Sequence, residues 1–155
     1  MRAWLLAVSD RAPEWAESGY QDYISRLRSR VDLRYQAIKL ARRGKGLSDV
    51  QARKDESARL LAKAPAGSWR IALDRSGKAW SSEQLAQQLQ RWHTDSRTPC
   101  FLIGGPDGIV ETDLAVCEQR WSLGALTLPH ALARVVVAEQ LYRAHCILDN
   151  HPYHR

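Results

Sequence analysis

The sequence predicts an α/β fold, a largely parallel sheet flanked by helices, from three observations. Apolar, β-favouring runs recur at Ala3–Val8, Leu33–Ile38, Trp69–Leu73 and Cys100–Ile103. Longer amphipathic segments separate them, so the order is βαβαβαβ, which favours parallel pairing. Helix-start signals stand where helices should begin: Pro13, Pro129, and Ser81 with Gln84 three residues on as a capping box.

Each element follows in order. Ala3–Val8 is too short for the core of a signal peptide and reads as the first strand. Pro13 opens a helix to about Arg28, with Trp15, Tyr20 or Tyr23, Ile24 and Leu27 near helical spacing. Leu33–Ile38 is the second strand, and the second helix covers roughly Ser48–Ala62. After the third strand, the capped helix from Ser81 carries Leu85, Leu89 and Trp92. The fourth strand runs directly into Gly104-Gly105-Pro106-Asp107-Gly108. A polar segment through Glu118, an apolar run Trp121–Leu128 and a last helix from Pro129 to about Asp149 complete the chain. That helix is about 30 Å long at 1.5 Å per residue. Val135, Val136, Val137 and Leu141 make it apolar on more than one face, so it should be covered by its own sheet or by a second subunit. Glu139 and Arg143 stand four apart in the order that pairs. With no internal repeat or low-complexity linker, residues 1–155 read as one domain.

Composition narrows the function. No apolar run approaches the roughly 18–20 residues of a membrane span. Cys100, Cys117 and Cys146 are odd in number, scattered and without a CxxC pair, which points away from a disulfide framework or zinc knuckle and fits a reducing cytoplasm. The net charge of +6 is unevenly placed: residues 1–70 hold 15 Lys and Arg against 8 Asp and Glu, residues 71–155 hold 8 against 9. The densest run, Lys39-Leu40-Ala41-Arg42-Arg43-Gly44-Lys45, suits a phosphate backbone, or is a solvated basic loop.

Three segments at strand ends are candidates for chemistry. Gly104–Gly108 is either a tight turn or a backbone approach to a ligand, and it matches neither GxGxxG nor a P-loop. Leu73-Asp74-Arg75-Ser76-Gly77-Lys78 reads first as a turn capped by Asp74, with ligand contact as the alternative. Leu123–His130 is apolar, poor in cations and reads as buried, which suits an adenine ring or plain core packing. GxSxG and HExxH are missing. His130 reads as a structural histidine at a helix start. His145, Cys146, His151 and His154 cluster at the end, but their spacing matches no standard zinc pattern. The terminal "NHPYHR" is therefore either solvated trim or part of a site.

Taken in order, "LIGGPDG", "WSLGALTLPHALARVVVAEQLYRA" and "NHPYHR", with the first strand and "LDRSGKAWSSEQLA", resemble one family along the full chain. It is the small SPOUT-class methyltransferases that methylate N3 of a pseudouridine in 23S ribosomal RNA. The resemblance implies a SPOUT-type sheet with a deep C-terminal trefoil knot, a homodimer as the functional unit, and S-adenosylmethionine as donor without a metal. The donor would be held by backbone groups of three loops, which match Leu73, then Gly104 and Gly105, then Leu123, Gly124, Ala125, Leu126, Thr127 and Leu128. Asp107 stands where the family often has Glu. Asn150 stands where glycine is common, and both tolerate a left-handed helix end.

Methyl transfer from a sulfonium requires in-line approach of the attacking nitrogen and loss of its proton, so positioning and electrostatics should dominate. The resemblance gives the tail that task. Arg155 and His154 would stabilise negative charge on the base or its phosphate, Tyr153 would stack on or hydrogen-bond the nucleotide, and Arg143 would assist. The target would be an extruded or loop nucleotide, with Lys39–Lys45 on surrounding phosphates. Ribosomal RNA within the assembled ribosome is the implied partner, rather than DNA or a membrane. A non-catalytic RNA-binding ribosome assembly factor is the competing reading, which the charge asymmetry supports equally.

Overall fold

A computed structural model describes residues 1–44 and 46–155; Lys45, the last cation of the basic run, lies outside the described residues. Strands β1 (Arg2–Val8), β2 (Asp32–Ile38), β3 (Trp69–Lys78), β4 (Pro99–Ile103) and β5 (Gln119–Trp121) form one sheet in the order β2-β1-β4-β3-β5. Every neighbouring pair is parallel. Helices α1 (Glu14–Leu27), α2 (Asp49–Lys63), α3 (Ser82–Thr94), α4 (Glu111–Leu114) and α5 (His130–Leu148) make the connections and the final layer, and a 3-10 turn follows at Pro152–His154.

Alternation along the central strands explains why their sequences are continuously apolar. Ala3, Leu5 and Ala7 of β1, with Phe101 and Ile103 of β4, enter one core with residues of α1, α3 and α5. Leu6, Val8, Cys100 and Leu102 enter a second core with Leu60 of α2 and Leu114 of α4. With both faces covered, neither parity of the strand can be polar. Burial also pushes the Cys100 thiol up to about 12, so it is a packing group rather than a nucleophile.

The expected helices lie within a residue or two of their predicted bounds. Ser48 and Gln51 form a capping box for α2, as Ser81 and Gln84 do for α3. The apolar surplus of α5 is largely covered within the chain: Val137 and Leu141 are buried, and the helix packs on α1 and α3, whereas Val135 and Val136 remain half-buried.

Two expectations are corrected. The third strand does not end at Leu73, because its pairing with β5 resumes at Lys78: Trp121 stands opposite both Leu73 and Lys78, with the register shift between them. The expected turn is an excursion inside a strand, and Asp74 Oδ2 accepts the Ser76 amide at 2.9 Å as local capping demands. The polar segment through Glu118 contains α4, and β5 follows directly at Gln119; neither was expected. A polar strand is tolerated because Gln119 Oε1 accepts the indole N–H groups of Trp69 (2.7 Å) and Trp92 (3.0 Å), while its amide donates to Gln88 Oε1 at 2.8 Å. Buried indoles need such an acceptor.

The return of β3 onto β5 depends on Gly77, where a Cβ would lie 2.5–2.7 Å from the backbone of Arg120 and Trp121. G77A should therefore push the strands apart and destabilise the protein by about 2 kcal/mol in urea denaturation. A loss of under about 0.5 kcal/mol would show that β5 yields freely.

Candidate donor site at the carboxyl rim of the sheet

Parallel strands deliver their carboxyl ends to one rim, and ligands of open α/β sheets bind there. The rim carries a cavity of about 650 Å³, walled by Leu73–Arg75 after β3, Ile103–Gly108 after β4, and Trp121, Leu123, Gly124, Leu126–His130 and Ala133 leading into α5. Its volume falls within the range of small-molecule sites. A second hollow of about 430 Å³, walled by Ala64–Arg70, Arg97 and Glu118, lies at the amino ends of β3 and β4, the wrong rim for such a ligand.

The three segments singled out in the sequence thus meet in one place. Gly104–Gly108 is both a turn and a cavity wall: the Gly108 amide donates to the Gly105 carbonyl at 2.9 Å. The two glycines are required by crowding. A Cβ on Gly104 would lie 2.8–2.9 Å from Gly108 and Ile109, and one on Gly105 would lie 2.8 Å from Glu56 Oε1. Leu123, Gly124, Leu126, Thr127 and Leu128 line the cavity. The expectation that this loop is buried is corrected: Ala125, Leu126 and Thr127 are exposed, Leu126 by 77%. A loop without intramolecular cover on its outer side has no packed core to hide in. His130 also lines the cavity, at the first turn of α5.

The basic run is not uniformly available. Lys39 and Arg42 are exposed, but Arg43 donates to Glu56 Oε1 (2.7 Å), Glu56 Oε2 (3.0 Å) and Asp107 Oδ2 (2.9 Å). Hydrogen bonds to Glu56 first, then Asp107, push its guanidinium further above its ordinary value. Sequence reasoning missed Glu56, a carboxylate on α2 that is 1% exposed.

The tail is folded against its own helix. Asn150, at φ 55°, ends α5: the His151 amide reaches back to the Cys146 carbonyl (2.8 Å) and the Asn150 amide to Ile147 (3.2 Å), a Schellman motif. The chain then turns at Pro152–His154, where Tyr153 packs on Tyr142 with ring centroids 4.7 Å apart. Arg143 sits 4.8 Å above the Tyr153 ring, and both residues bond Glu139: Arg143 Nη2 at 2.6 Å and the Tyr153 hydroxyl at 3.1 Å. Burial first, then Tyr23 and Glu139, push the Tyr153 phenol up, so it serves as a neutral hydrogen-bond donor. His154 is half-buried and Arg155 exposed.

Within one chain the tail does not line the cavity. The cavity wall on α5 ends at Ala133, ten residues before Arg143, or about 15 Å along the helix. Among the described residues, the terminal histidines included, no group of three or more His, Cys, Asp or Glu side chains is gathered so as to hold an ion. No helix among them is long and apolar enough to cross a membrane.

A family model described as "Predicted SPOUT methyltransferase" matches residues 1–154. The chain belongs to the SPOUT methyltransferase family. Proteins named ribosomal RNA large subunit methyltransferase H, from Pseudomonas aeruginosa and Stenotrophomonas maltophilia, are 43% and 46% identical to this SPOUT chain. Those matches cover 100% of this chain, and 100% and 99% of theirs. A solved structure of a probable methylase family protein from Haemophilus influenzae has a TM-score of 0.55 at 11% identity, over 98% of this chain and 67% of that one. At that identity it speaks for the fold alone.

His145, on the stretch of α5 facing Arg30 and the N-terminal amine, is lowered to about 4, chiefly by burial. Its unfolded value is higher, so the folded state keeps its full contribution above about pH 6.5 and loses it as the pH falls toward 4. That loss should be about 2 kcal/mol after allowance for screening, read by urea denaturation at pH 7 and pH 4.5. H145L should lack this component; an equal acid sensitivity in both proteins would contradict it.

Proposed function

We propose that this protein transfers a methyl group from S-adenosylmethionine to N3 of a pseudouridine in 23S ribosomal RNA, acting on the assembled ribosome in the cytoplasm. The observation that carries the reading is the rim cavity built from Leu73–Arg75, Ile103–Gly108 and the 123–130 loop. Its composition fits the donor: close-packed glycines expose backbone groups at Gly104 and Gly105, and the apolar side chains of Leu73, Leu123 and Leu128 offer surface for an adenine ring. S-adenosylmethionine supplies an electrophilic methyl on a sulfonium. The protein's task is to hold the acceptor base in line with it and to favour loss of the N3 proton. The domain so used spans residues 1–155, without a metal.

A deep trefoil knot accords with the path of the chain. What supports that reading is that the 123–130 loop shares the cavity wall with the loops after β3 and β4, and that α5 then packs on α1 and α3.

The tail enters through dimerisation. With Arg143 about 15 Å along α5 from Ala133, and Tyr153 folded back on Tyr142 and Glu139 outside the cavity wall, a second copy would bring Arg143, Tyr153, His154 and Arg155 to the first copy's acceptor base. Exposed Trp15 (61%) and Leu126 flank the start of α5 and supply apolar surface for such a contact. Arg155 and His154 would face charge developing on the base, Tyr153 would donate or stack, and Arg143 would hold Tyr153 in place. Lys39 and Arg42 would meet RNA phosphates.

A non-catalytic RNA-binding assembly factor is separated by donor binding. Calorimetry should give a saturable isotherm with S-adenosylmethionine, and silence well above micromolar donor would favour the assembly factor. Labelled donor should pass its methyl to ribosomes, and a chain ending at Pro152 should lose at least about 100-fold of that rate while still binding donor. An undiminished rate would remove the tail from the mechanism.

A further inference from the structure

Arg43 joins two segments to which the reading above gives separate tasks: the basic loop, for RNA, and the 104–108 loop, for the donor. Two of its hydrogen bonds satisfy Glu56, whose Oε2 also accepts the Ala41 amide at 3.1 Å. A carboxylate buried to this extent requires such partners, and the planar guanidinium fork can meet both oxygens at once. That fixes residues 41–43 over α2. The third bond, to Asp107 Oδ2 at 2.9 Å, is not needed to satisfy Glu56; its effect is to tie down the tip of the donor loop. Gly105 completes the arrangement by lying against the same Glu56 carboxylate, with no room for a Cβ.

We propose that Arg43 is a positioning residue: rather than meeting an RNA phosphate, it clamps the Gly104–Gly108 loop in its donor-holding form and couples the basic loop to the donor cavity. The clamp rests on the reading of that cavity as the S-adenosylmethionine site. Lys39 and Arg42, which are exposed, are left for phosphate.

The test combines a readout that needs no donor with one that does. The Gly108 amide, bonded to the Gly105 carbonyl, reports loop order by hydrogen exchange in the free protein. R43K keeps a cation for Glu56 but cannot bridge both carboxylates, and D107A leaves the Arg43–Glu56 pair whole, so both variants keep the core charge compensated. Exchange at Gly108 should quicken about tenfold in each. In calorimetry with S-adenosylmethionine, R43A should bind about tenfold more weakly, R43K should recover part of the loss, and R43A/D107A should be no weaker than R43A. At saturating donor the KM for ribosomes should change by less than about twofold. Unchanged Gly108 exchange in R43K and D107A overturns the clamp, as do additive donor losses. A raised ribosome KM with donor affinity intact makes Arg43 an RNA contact and overturns it as well. If the wild-type protein binds no donor, the proposed function falls, and the exchange result still decides the clamp.

Discussion

Parallel pairing across the whole sheet is the constraint on which the rest depends. Each parallel neighbour requires a crossover, and the crossovers here cover both faces with helices. The same pairing sends all five carboxyl ends to one rim, so loops distant in sequence, at residues 73–75, 103–108 and 121–130, have to meet there. The cavity is a consequence of the topology. Its finer shape comes from close approaches, where Gly77 admits the backbone of β5 and Gly104 admits its own turn.

The four long strands, the helix starts and the three loop candidates were legible because each has a local cause: continuous apolarity, a capping box, or glycine at a strand end. What was hidden has non-local causes. β5 is three residues long and polar at Gln119, and its strand character comes from two indole N–H groups 50 and 27 residues away. The excursion in β3 reads locally as a turn, because the ladder that resumes at Lys78 is supplied by Trp121. Glu56 looks like any helix-surface glutamate until the loop carrying Arg43 folds over it. The three loop candidates were legible as types of segment; their meeting was implied only by the family resemblance, since strand order is not written in any one strand.

The electrostatic reading changes most. Composition assigns the first 70 residues a surplus of seven positive charges, yet many of those arginines are committed within the fold. Arg30 pairs with Asp149, Arg70 with Glu118, and Arg43 with Glu56 and Asp107. Arg134, only 3% exposed, is held by Glu17 and lies 4.4 Å from the centres of the Tyr20 and Tyr35 rings. Such groups stiffen junctions between elements; they do not attract a polyanion at long range as free surface cations do. Lys39 and Arg42, just past the carboxyl end of β2, remain exposed and are among the charges left for RNA.

The helix end at Asn150 sets the remaining geometry. A left-handed residue there turns the chain back on α5, and Tyr153 packs against that helix through Tyr142, Glu139 and Arg143, with Tyr23 of α1 beside it. Group transfer needs reacting atoms within about 3–3.5 Å, and on the proposed reading a tail packed on Glu139, Tyr142 and Arg143, outside the cavity wall, reaches its own cavity only by giving up those contacts. In the proposed dimer the tail stays packed on its own helix while its outer side meets another chain's rim. On the proposed reading, the tail's intramolecular packing is what makes a shared site necessary. The Glu139–Arg143–Tyr153 cluster then orders the tail before the substrate arrives, so less of that ordering has to be met from binding.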